Sequence, residues 1–137
     1  MKPVFQTNNS VPGGDCLRAC VASILELDIE EVPHFCGEKP HEEWFSRLAI
    51  WLRDRGLGCF YTTLDPICGA ISGPCLLGVR TRKAEELNRP KDWIHCVVAN
   101  AVVGKDRVHF EIIHDPDPGA SEVLEYRDVT WIVRNVA

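Results

Sequence analysis

Cys16 follows Gly13-Gly14-Asp15 and opens an amphipathic run from Leu17 to Leu27. A cysteine in the first turn of a helix sits where the macrodipole and unpaired backbone N–H groups favour the thiolate, which is the nucleophilic form. Two further groups suit the same chemistry. His95 lies in the apolar stretch Ile94-His95-Cys96-Val97-Val98, and Asp115 lies in His114-Asp115-Pro116. A histidine beside a thiol takes its proton and returns it to a leaving group. A carboxylate orients that ring and stabilises its charged form. Acyl transfer also needs donors for an oxyanion. The Cys16 backbone N–H supplies one, and Gln6, the only glutamine and upstream of Cys16, can supply another through its side-chain amide.

These groups must be held by defined elements. Asp15 is a suitable N-cap, and Leu17, Val21, Ile24 and Leu25 form an apolar stripe at helical spacing. Beside it Cys16, Ala19, Cys20 and Ser23 form a stripe of small residues, the mark of a helix that another element approaches closely. Residues 28–35 read as a short turn or helical piece interrupted by Pro33. A second helix is expected over 42–55, with Phe45, Leu48, Trp51 and Leu52 on one face and Gly56 as its stop. Beyond Gly58 the period changes to that of strands: 59–64, 75–79, 93–103, 107–115 and 129–133, with a loop over 66–74 and a polar surface excursion over 81–92. Arg80, Arg82 and Lys83 read as a solvated patch. Helices first and strands after indicate an α+β fold, the nucleophile helix packed on an antiparallel sheet.

The segment Val103-Gly104-Lys105-Asp106-Arg107 has turn chemistry, so the strands on either side should pair as a hairpin. Centred on Lys105, the hairpin sets His95 opposite Asp115, Val98 opposite Ile112 and Val102 opposite Val108. Opposed residues have Cβ atoms about 5 Å apart, close enough for an imidazole–carboxylate hydrogen bond. A one-residue change of centre instead sets His114 opposite His95. Pro116 keeps Asp115 extended and ends the strand there.

Gln6, then Gly14-Asp15-Cys16-Leu17-Arg18-Ala19-Cys20, then Ile94-His95-Cys96-Val97-Val98, then His114-Asp115-Pro116 resemble the papain-like cysteine peptidases. The order is most similar to the small bacterial branch that includes the peptidases cutting double-glycine leader peptides of bacteriocins. The resemblance runs from Gln6 to Pro116. It implies a single papain-like catalytic domain over 1–137, with Cys16 as nucleophile, His95 as base, Asp115 as orienter and Gln6 as oxyanion donor. It also implies a thioester acyl-enzyme. Water as acceptor makes a peptidase or amidase, and an amine or thiol makes an acyltransferase. A non-catalytic peptide-binding module on the same scaffold is the remaining reading. Leu17 replaces the glycine usual in the family, and the Gln6–Cys16 spacing is longer than in the family. No transporter region is expected beside the domain, so leader-peptide processing itself does not carry over.

Other residues have plainer readings. Cys20, Cys36, Cys59, Cys68, Cys75 and Cys96 are expected in the core, as free cysteines usually are. His114 rivals Asp115 for a place near the site, with Asn100 and His34 behind it. Trp44 and Trp51, seven apart on a helix, read as core. There is no Cys-x-x-Cys, His-x-x-x-His or Gly-Lys-Ser/Thr motif, so neither a metal nor a cofactor is expected.

At 137 residues the chain is the size of one domain. Its net charge of −5 and lack of a basic stripe argue against a nucleic-acid partner. No apolar run reaches membrane-spanning length, and the first residues lack the apolar block of a signal peptide. Seven cysteines, an odd number, suit reduced thiols, so the expected compartment is the cytoplasm. A small domain suggests an open groove and a peptide or protein tail as substrate; the sequence carries no signal for the oligomeric state.

Overall fold

The computed structural model describes residues 1–7, 15–36, 43–63, 73–105 and 108–134. Gly13, Gly14, Cys68, Asp106, Arg107 and most of the 66–74 loop lie outside them. Helix α1 (Cys16–Leu25) is followed by a 3₁₀ turn (Ile29–Glu31) and helix α2 (Trp44–Arg53). Strands β1 (Leu57–Thr63) and β2 (Gly73–Thr81) come next, then a five-residue helix α3 (Arg82–Glu86). Strands β3 (His95–Val103), β4 (Val108–His114) and β5 (Val123–Arg134) complete the order. The strands form one sheet in the order β1-β5-β2-β3-β4, with every neighbouring pair antiparallel. The architecture is α+β, with the N-terminal helices on a five-stranded antiparallel sheet. Among the described residues no helix is long and apolar enough to cross a membrane.

Both expected stripes of α1 are used. Leu17, Val21, Ala19, Cys20 and Ser23 are buried, and the helix packs chiefly on β3. On the helix-facing side of the sheet, Leu76 and Val98 join Leu17, Cys20, Val21, Phe35, Leu48 and Leu52 in one apolar cluster. The alternate residues Cys75, Leu77, Val79, Val97, Ala99, Val129 and Trp131 form a second cluster on the other face. With apolar clusters on both faces, β2 is apolar almost throughout rather than alternating.

Several expectations need correction. The Asp15 side chain does not cap α1; its carboxylate instead accepts the Thr7 N–H at 3.0 Å and the Thr7 hydroxyl at 2.6 Å. The 81–92 excursion contains α3, begun by the Thr81 hydroxyl accepting the Ala84 N–H. Arg80 is no part of a solvated patch, for its side chain is 4% exposed. The hairpin has neither expected register. Val103 pairs with Val108, Val102 with His109 and Ala99 with Ile112, and an irregularity then pairs Val98 with His114. An extra residue on one strand shifts everything beyond it. His95 and Asp115 both lie past the last pair of this ladder.

Candidate active site

Three parts of the chain converge at the first turn of α1. The N-terminal segment is fastened to α1 by the Val4 N–H, which donates to Ser23 Oγ at 2.9 Å, and by the two Thr7 bonds to Asp15. The Gln6 N–H donates to the Pro116 carbonyl at 2.8 Å, tying the same segment to the chain beyond β4. His114 Nε2–H donates to the Val4 carbonyl at 2.7 Å, and its ring meets Phe5 edge-on. His114 is therefore a brace of the segment. His34 and Asn100 line neither cavity beside the site.

At the start of β3, His95 is buried between two partners. Its Nε2 is 2.7 Å from Asp115 Oδ1, and the Cys16 side chain is hydrogen-bonded to the ring. With Nε2 engaged by the carboxylate, Nδ1 is the ring nitrogen left for a second partner. Burial disfavours the charged ring, but the hydrogen bonds and charges of Asp115 and Cys16 outweigh it and raise the His95 pKa to about 10. Asp115 Oδ1 also accepts the Asp117 N–H at 2.9 Å. Asp117 in turn pairs with Lys83 Nζ at 2.7 Å. Burial pushes the Asp117 carboxyl up, yet Lys83, the Gly119 N–H and the nearby His95 hold it below its usual range.

Several of these residues carried no obvious signal in the sequence. Trp93 stacks parallel to His95, with ring centroids 6.3 Å apart and planes 7° from parallel. Its segment is held from below by Arg80, which donates to the carbonyls of Arg89 at 2.8 Å, Pro90 at 2.6 Å and Trp93 at 3.3 Å, and to Glu85 at 2.9 Å. The planar five-donor fork of arginine suits such a fan of acceptors. Trp93 was findable, being two residues from His95 and so on its side of an extended chain. Asp117 was findable from the Asp115-Pro116-Asp117-Pro118 repeat.

A cleft of about 640 Å³ opens at Cys16, lined by Leu17, Trp44, Phe45, Tyr61, Ile94 and Asp128 among others. Trp44 thus serves the cleft as well as the core. A smaller cavity of about 240 Å³ is lined by Gln6, Trp93, His95 and Asp115 among others. Gln6 is therefore adjacent to the His–Asp pair and precedes Thr7, which is bonded to the residue before Cys16.

The remaining cysteines have other surroundings. Cys20 Sγ donates to the Cys96 carbonyl at 3.3 Å, and burial raises its pKa. Cys96 is raised by its contact with Cys20 and by burial, and burial raises Cys36 to about 11. Cys59 is also raised by burial. Cys36 and Cys96 reach the cleft wall instead of being wholly core. No group of three or more metal-ligating side chains that could hold an ion occurs among the described residues. Comparison with protein-family models, with curated proteins and with solved structures finds no match for this chain.

Proposed function

We propose that the protein is a papain-like thiol hydrolase, a peptidase or amidase acting on peptides or protein tails. The observation that carries this reading is His95 held between the Cys16 side chain and the Asp115 carboxylate at the start of a helix. A charged imidazolium beside the sulfur favours attack by the thiolate. In this reading Cys16 Sγ adds to the substrate carbonyl carbon. The oxyanion is received by the Cys16 backbone N–H and the Gln6 side-chain amide. His95 Nδ1 then gives its proton to the leaving nitrogen, the C–N bond breaks, and a thioester remains on Cys16. Water, relieved of a proton by His95, adds to the thioester and releases the acid and the thiolate. Asp115 keeps the ring oriented and compensates its charge, helped by the Asp117 N–H.

Alkylation by iodoacetamide near neutral pH, read by peptide mass spectrometry, tests the assignment. Cys16 is expected to react at least about tenfold faster than any other cysteine of the folded protein, and His95→Ala to remove that lead. Exposure does not account for such a lead, since Cys36, Cys59 and Cys96 are half-buried as Cys16 is. Equal rates at all seven cysteines would overturn the reading.

A further inference from the structure

The cleft beside Cys16 has a wall chemistry of its own. Trp44, Phe45 and Tyr61 meet edge to face, with centroid separations of 5.6 Å for Trp44–Phe45 and 6.4 Å for each ring with Tyr61. Leu17 and Ile94 extend the apolar surface toward the nucleophile. Set into this surface is Asp128, in the middle of β5, paired across the sheet with Gly78 of β2. A side chain at position 78 would run into the Asp128 carboxylate and Ile94, so glycine there makes room for the acid. Asp128 Oδ2 accepts the Tyr61 hydroxyl at 3.3 Å, the one hydrogen bond to this carboxylate among the described residues.

The charge of the cleft is one-sided. Its charged lining residues are Asp92 and Asp128, and no lysine or arginine lines it among the described residues. Arg127, the neighbour of Asp128, lies 3.2 Å from Glu125 through Nε and is not among the residues that line the cleft. Burial pushes the Asp128 carboxyl above its usual range despite the tyrosine and Arg127, a penalty that an incoming cation relieves. Aromatic faces attract cations as well.

We propose that this cleft is the binding site for a lysine- or arginine-like side chain of the substrate, its apolar shaft along Leu17 and Ile94 and its cationic head at Asp128, Tyr61 and the aromatic walls. Asp128 is then the specificity-determining residue. The proposal rests on the thiol-hydrolase reading in placing this side chain next to the carbonyl that Cys16 attacks. The cation preference itself is a property of binding, and it is tested without the reaction.

The experiment is a two-dimensional amide NMR titration of the full chain with Nα-acetyl-lysine methylamide and, separately, Nα-acetyl-norleucine methylamide, which has the same shaft and no charge. The lysine compound is expected to bind at least tenfold more tightly, moving the amides of Tyr61, Gly78, Ile94 and Asp128. In Asp128→Asn the two compounds are expected to bind alike. Tyr61→Phe, which keeps the ring, should reduce the preference about threefold. Norleucine binding as well as or better than lysine in the wild-type chain overturns the proposal and makes the cleft an apolar one. A lysine preference that survives in Asp128→Asn removes Asp128 from the role. If lysine binds as expected while iodoacetamide shows no preference for Cys16, the hydrolase reading fails and the cationic site stands.

Discussion

The His95–Asp115 contact makes a quantitative demand on stability. His95 is raised from 6.5 to about 10 in the folded chain, so its contribution is complete below pH 6.5 and is lost as pH climbs through about 10. Asp115→Asn removes the negative charge but keeps an oxygen that can accept the Asp117 N–H. A charged hydrogen bond contributes about 1.5–3 kcal/mol, so the His95 pKa should fall by roughly one to two pH units, with the Cys16 part of the shift surviving. Urea unfolding of both proteins should therefore show a gap of about 2 kcal/mol at pH 6.5 that closes to a few tenths above pH 10. Titrations common to the two proteins cancel in that gap. Histidine ring NMR would report the lowered pKa directly. A gap of constant size across this range would refute the argument, for it would mean that Asp115 acts through its backbone partner and not through charge on His95.

Two further substitutions test how the site is held. Ser23→Ala leaves the Val4 N–H without its acceptor and should cost about 1–3 kcal/mol in urea unfolding. Hydrogen exchange at residues 4–7 should rise with it; unchanged exchange there would show that the N-terminal segment is fastened elsewhere. Arg80→Met strips the donor from three carbonyls and should cost about 3 kcal/mol or more, with increased amide exchange over 89–94. A loss confined to global stability, with no change in that segment, would mean that Arg80 does not position Trp93.

What could be read from the chain follows from which forces are local. The stripes of α1 and α2 are set by period alone, and both helices occur where they were expected. The end of α1 was less legible. Glu26 takes a left-handed conformation at φ 58° without glycine, closed by the Leu27 N–H donating to the Ala22 carbonyl. Strand β5 is much longer than the apolar run at 129–133, because Glu125, Arg127 and Asp128 interrupt the run while the backbone still pairs with β2. The hairpin register is already one residue off where Val103 pairs with Val108, and an irregularity at Val98/Ala99, which depends on packing between strands, shifts it by one more. His95 and Asp115 met all the same, since neither needs the ladder to reach the other. Asp128 had no signal: an acid in mid-strand is interpretable only when the cleft in front of it is known.

The sheet order carries a consequence for how the chain is made. β5 lies between β1 and β2, yet a ribosome delivers it after both. Until it arrives, β1 and β2 have no partner between them, and the gap exposes two edges of the kind that chaperones must shield. Cys16 and His95 have by then been translated, but Asp128 and Thr130, which line the cleft, have not. The nascent chain therefore carries Cys16 before the wall of the cleft beside it is complete. Insertion of a single late strand both closes the sheet and completes the cleft.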